Sequence, residues 1–87
     1  MSQVIRYSPE EMTQRSTKAL VRHVLANSKR ETIPGPELAE VARLWGVVRR
    51  APEGTGEESA AWIDFRLAYC RVMGDMEAPL AMHAWPR

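Results

Sequence analysis

Three stretches of the chain carry apolar residues at intervals of three and four, the spacing that gathers them on one side of an α-helix, and polar punctuation separates them. The first opens on "YSPEEM". Ser8 stands at the N-cap, Pro9 at the first helical position and Glu11 three residues beyond the cap, with Tyr7 and Met12 placed as a hydrophobic staple. The pattern predicts a helix over about 9–26 whose inward face holds Met12, Ser16, Ala19, Leu20, His23 and Val24. Residues 28–35, "SKRETIPG", then read as a loop, because Pro34 biases Ile33 toward extended backbone and Gly35 follows.

A second helix is predicted over about 36–50, with Pro36 at its start and Leu38, Val41, Ala42, Trp45 and Val48 as its apolar stripe. It ends before Pro52, and "APEGTGEE" reads as a linker in which Thr55 and Glu58 form a capping box for a third helix over about 57–73, stopped by Gly74. That helix is apolar on two sides. Trp62, Phe65, Ala68, Tyr69, Val72 and Met73 lie on one, and Ile63, Leu67 and Cys70 on another. It is either the central helix of the domain or one that offers a second face to another chain.

Met76, Leu80, Met82 and Trp85 make the last dozen residues too apolar for a solvated tail. The expectation is a C-terminal segment, 75–87, that folds back on the core and contains a short fourth helix over about 79–84, started by Pro79 and ended before Pro86. Residues 1–7 are expected to form an extended arm. The whole reads as one all-α domain over residues 1–87, a small bundle of three helices plus the short terminal one. A chain of 87 residues buries only about 60 to 65 per cent of its unfolded surface, so its stability is expected to be marginal.

Charge changes the picture in one place. Residues 1–30 carry six Lys or Arg against Glu10 and Glu11, while residues 31–87 carry six against nine acidic residues. Arg15, Lys18 and Arg22 share one face of the first helix, and Lys29 and Arg30 extend the basic patch in sequence. A lone cysteine, Cys70, forms no internal disulfide, no apolar run approaches a membrane span, and the amino terminus lacks a secretory pattern; a cytoplasmic protein with no membrane partner is expected.

"ELAEVARLWGVVRRAPEG" begins like a DNA-binding helix-turn-helix, with Ala42 four residues before a turning Gly46. The second half breaks the pattern. A groove-entering helix there would contain Pro52 as an interior residue, at a cost of about 3 kcal/mol, and Gly54 adds about 1 more. If the third helix took that role instead, Glu57 and Glu58 would face phosphate.

No catalytic, cofactor-binding or metal site is predicted. His23, His83 and Cys70 stand at no ligand spacing, and the Gly54–Gly56 pair is flanked by carboxylates that oppose a phosphate. The chain is therefore not expected to be an enzyme. Three Trp and five Met exceed what a three-helix core needs, and these types, with Arg, are enriched at interface centres.

The expected function is a small protein–protein interaction module, an adaptor or inhibitor that occludes a partner's functional surface, by analogy of size with bacterial or phage accessory proteins. Its partner is another protein or a second copy of the chain. Arg15, Lys18, Arg22, Lys29 and Arg30 would supply the electrostatic contacts and Ile63, Leu67, Cys70 and Trp85 the apolar ones. The alternative is a nucleic-acid-binding regulator with a degenerate helix-turn-helix, using the same cations with Arg49 and Arg50.

Overall fold

A computed structural model describes residues 8–86, and the predicted staple residue Tyr7 and the arm over 1–7 lie outside them. Three helices form, α1 (Pro9–Asn27), α2 (Gly35–Arg50) and α3 (Gly56–Met73), with no strand among the described residues. The chain is an all-α bundle. Its helix starts follow local chemistry: Ser8 Oγ accepts from the Glu11 backbone N–H at 3.2 Å, and Thr55 Oγ1 accepts from that of Glu58 at 3.2 Å. The Glu58 carboxylate reaches back to the Gly54 N–H at 3.2 Å, one residue beyond the usual box partner, the N-cap Thr55. α3 stops at Gly74, whose φ of 69° is left-handed, and the carbonyls of Arg71 and Cys70 accept the N–H groups of Gly74 and Asp75.

α2 packs on both other helices and more extensively on α3, so α2 rather than α3 is the hub of the bundle. The core is built from Leu20 and Val24 of α1, Val41, Trp45 and Val48 of α2, and Phe65, Tyr69 and Val72 of α3. Its aromatic rings form a continuous chain: Trp62 meets Trp45 edge-on, Trp45 meets Phe65, Phe65 stacks on Tyr69, and Tyr69 meets Trp85. Two residues lie opposite to expectation, one expected inside and one outside. Met12 is 48% exposed, because the first turn of α1 projects beyond the core, and Cys70 belongs to the buried side of α3 instead of its second face.

The fourth helix expected over 79–84 does not form. Residues 74–86 run as successive turns, with Ala78 N–H donating to Asp75, Met82 to Leu80 and Ala84 to Ala81. Six residues gain too few bonds to offset helix nucleation, and the Pro79 carbonyl, which would accept from the next turn, takes the Tyr69 hydroxyl at 3.1 Å instead. The turns deliver Trp85, fully buried, against His23 and Tyr69.

Candidate interaction surface

Arg15, Lys18 and Arg22 project from α1 within about 60° of one another and over about 10 Å of its length, as helical geometry requires of that spacing. They line a groove of about 570 Å³ together with Arg49 of α2. Met12, Ala19 and Pro86 give the groove apolar wall, and no carboxylate side chain among the described residues lines it. Four cations thus converge on one concavity.

The groove stands on a buried polar hub. Ser16 is 4% exposed, and its Oγ accepts from the Trp45 indole N–H at 3.0 Å while donating to the Pro86 carbonyl. Arg49 is held from the side: its Nε donates to Thr13 Oγ1 and its Nη1 to the Pro86 carbonyl, both at 3.3 Å. Those acceptors are neutral. They fix the guanidinium, and no carboxylate of the described residues pairs with it, which favours capture of an external anion. Among the described residues Lys18 and Arg22 make no ion pair.

Lys18 also lines a neighbouring groove of about 410 Å³ between α1 and α2, where Arg50 adds a cation and Arg43 stands paired with Glu40 through Nε and Nη2. α2 runs unbroken through Gly46 to Arg50, so the turn of a helix-turn-helix is not made there. A Cβ at Gly46 would meet the flexible Arg50 guanidinium at 3.1 Å, so the glycine marks no close backbone approach.

The remaining basic residues of the predicted patch lie elsewhere. Lys29 pairs with Asp75 at 3.0 Å, and Arg30 pairs with Glu37 at 2.7 Å and donates to the Arg71 carbonyl at 3.3 Å. These two tie the loop after α1 to the ends of α2 and α3. Of the predicted apolar contacts, Ile63 and Leu67 are 62% and 46% exposed, one helical turn apart on α3. Cys70 and Trp85 are sealed in the core and present no surface. The reason is the tail: once Trp85 lies on His23 and Tyr69, the interior absorbs the ring, and among the described residues the large exposed apolar side chains are aliphatic or sulfur-bearing.

Arg49 enters the groove unannounced by sequence spacing, since its place depends on how α2 crosses α1. The available clue was its position four residues after Trp45, at the edge of the buried stripe.

His23 is wired into the tail contact. The Tyr69 hydroxyl donates to Pro79, so His23 Nε2 is the donor across the 3.4 Å to that hydroxyl, and Nδ1 accepts from the Asn27 amide at 3.3 Å. That tautomer is neutral. Burial, with His83 adding repulsion, lowers the His23 pKa, and burial raises that of Tyr69. The backbone N–H of Glu77 and the Lys29 ammonium lower the pKa of Asp75.

Chemically, the grooves offer cations, hydrogen-bond donors and apolar contacts. No group of three His, Cys, Asp or Glu that could hold a metal occurs among the described residues, and none of their helices is long and apolar enough to cross a membrane. Fold and surface define a three-helix bundle with a cationic groove. Compared with protein-family models, curated proteins and solved structures, the chain matches none.

Proposed function

We propose that the chain is a small protein-binding module, an adaptor or inhibitor that acts by covering a functional surface of another protein. The observation that supports this is the groove between α1, α2 and the tail, where four cations meet apolar wall and no carboxylate side chain of the described residues is present. Arginine and methionine are enriched in interface cores, and a fixed guanidinium is suited to bidentate carboxylate contact. The groove is assigned to binding rather than to catalysis.

Capture from extracts of cells that encode the chain tests the reading, with wild type compared with Lys18→Glu/Arg22→Glu and with Ile63→Glu/Leu67→Glu. A protein retained by wild type and lost by the first variant is the expected result; retention of the same proteins by all three forms refutes it. In the form of this reading where the partner is a second copy, sedimentation at micromolar concentration gives a dimer that Leu67→Glu dissociates without unfolding.

A second reading, nucleic-acid binding, is favoured by the sharing of Lys18 between two grooves, since Arg50 widens the basic area while Arg43 is neutralised by Glu40. Salt separates the two. Duplex binding weakens with a log–log slope of about −0.9 per phosphate contact, so a steep slope replaces the first reading and absence of binding at low salt removes the second.

A further inference from the structure

Resting on the protein-binding reading, we propose that the α1–α2–tail groove recognises an acidic segment of the partner in which carboxylates recur at helical spacing around an aliphatic side chain. The cations fix the first half of this. Arg15, Lys18 and Arg22 stand three, four and seven residues apart, so they offer positive charge along about 10 Å, the rise of two helical turns. A partner helix with Glu or Asp at the same intervals presents its carboxylates over the same length, and Arg49 adds a guanidinium already held by Thr13 and Pro86.

The apolar residues fix the second half. Met12 is 48% exposed at the mouth of the groove, with Ala19 and Pro86 on its wall. A thioether on three rotatable bonds accommodates aliphatic side chains of varied shape, which a purely charged partner would leave unused.

The same geometry argues against a long polyanion. Glu11 lies one turn before Arg15 on the same face of α1, and Leu25, exposed, follows Arg22 on the other side, so the positive stripe is closed at both ends. A nucleic-acid strand running along α1 would carry phosphate over Glu11. Among the described residues no aromatic ring lines this groove to offer it a stacking platform either. A short acidic segment meets neither obstacle.

The test uses the full-length chain and a fluorescent peptide of about twelve residues, Glu-Glu-Leu-Leu repeated, long enough for about three helical turns. Anisotropy is read at low salt against the same peptide with Gln for Glu and against a short DNA duplex. The expected result is binding of the Glu peptide, at least about tenfold weaker binding by Lys18→Glu/Arg22→Glu, a smaller loss with Lys18→Gln/Arg22→Gln, and weakening as salt is added. Both pairs are surface substitutions, and circular dichroism confirms that each variant keeps its helices.

Absence of Glu-peptide binding, equal binding of the Gln peptide, indifference to both substitution pairs, or tighter binding of the duplex each overturns the proposal. The two readings fail separately. Capture of a partner that survives the groove substitutions and falls with Ile63→Glu/Leu67→Glu leaves the protein-binding reading standing and moves docking to α3.

Discussion

Replacing Ser16 by Ala tests whether the bundle depends on the buried polar hub at Ser16. The hydroxyl accepts from Trp45 Nε1 and donates to the Pro86 carbonyl, and Trp45 is fully buried, so its N–H has no water to turn to. An orphaned buried donor costs about 1–3 kcal/mol, and the lost bond to Pro86 about 0.5–1.5, since that carbonyl keeps Arg49. Alanine regains about 0.5 kcal/mol in helix propensity. The net loss expected is about 2 kcal/mol, against a total of about 4–13 for 87 residues. At 4–8 °C per kcal/mol in a domain of this size, the melting temperature falls by about 8–16 °C. Urea titration followed by tryptophan fluorescence measures the loss directly. Trp45→Phe removes the orphaned donor, so the double variant should be more stable than additivity predicts by about 1 kcal/mol or more. A loss below about 0.5 kcal/mol for Ser16→Ala, or strict additivity in the cycle, refutes the hub.

Trp85 Nε1 is buried with no hydrogen-bond partner among the described residues, so Trp85→Phe removes an unsatisfied donor as well as volume and should cost at least about 1 kcal/mol less than Trp45→Phe in the same titration. Gly74→Ala should lose about 1–2 kcal/mol, because φ is 69° and a Cβ there would stand 2.8 Å from the Arg30 Cγ; an unchanged urea midpoint contradicts this. The folded pKa of His23 is lowered, so the unfolded chain takes the proton first: stability is full above about pH 6.5 and declines as pH drops through the lowered folded value. Asp75 and Glu40, also lowered, withdraw their contribution only at more acid pH, and His23→Gln should flatten the upper step while leaving the acid one. Ile63→Glu and Leu67→Glu should each change stability by less than about 0.5 kcal/mol, whereas Trp85→Ala should cost about 3–5 kcal/mol; comparable losses would mean that the α3 face is covered.

Local chemistry made the helices legible. Ser8 and Thr55 cap where the sequence places them, Gly74 stops α3, and the three stripes put Leu20, Val41, Trp45, Phe65 and Tyr69 inside. What depended on neighbours was not legible. Periodicity assigns Met12 to the inward face of α1, but only the extent of α2 and the tail decides whether anything covers it. It separates Cys70 from Phe65 on α3, yet the core reaches far enough around that helix to bury both. A Pro79 start predicts a helix that six residues do not sustain once Tyr69 takes the Pro79 carbonyl. The groove was half legible: spacing along α1 brings Arg15, Lys18 and Arg22 together, whereas Arg49 joins them, and Lys29 and Arg30 leave, through contacts between segments distant in sequence.

Interior and surface meet at Pro86. Its carbonyl receives Ser16 from the core and Arg49 from the groove, and its ring forms part of the groove wall, so the atoms that seat Trp85 also shape the cationic site. Undocking the tail would therefore remove one of the two anchors of Arg49, leaving Thr13, and open the wall without touching Arg15, Lys18 or Arg22. A ligand that needs the formed groove then binds with an affinity reduced by the fraction of molecules whose tail is docked. Ser16→Ala, which removes the core-side contact to that carbonyl, should weaken recognition of the acidic peptide even though Ser16, at the groove floor, is only 4% exposed and its Oγ is already engaged by Trp45 and Pro86. Raising peptide concentration should in turn stabilise the variant against urea, because binding and tail docking are linked. An affinity unchanged by Ser16→Ala at a temperature where the variant has measurably lost stability would show that the groove is formed by α1 and α2 alone.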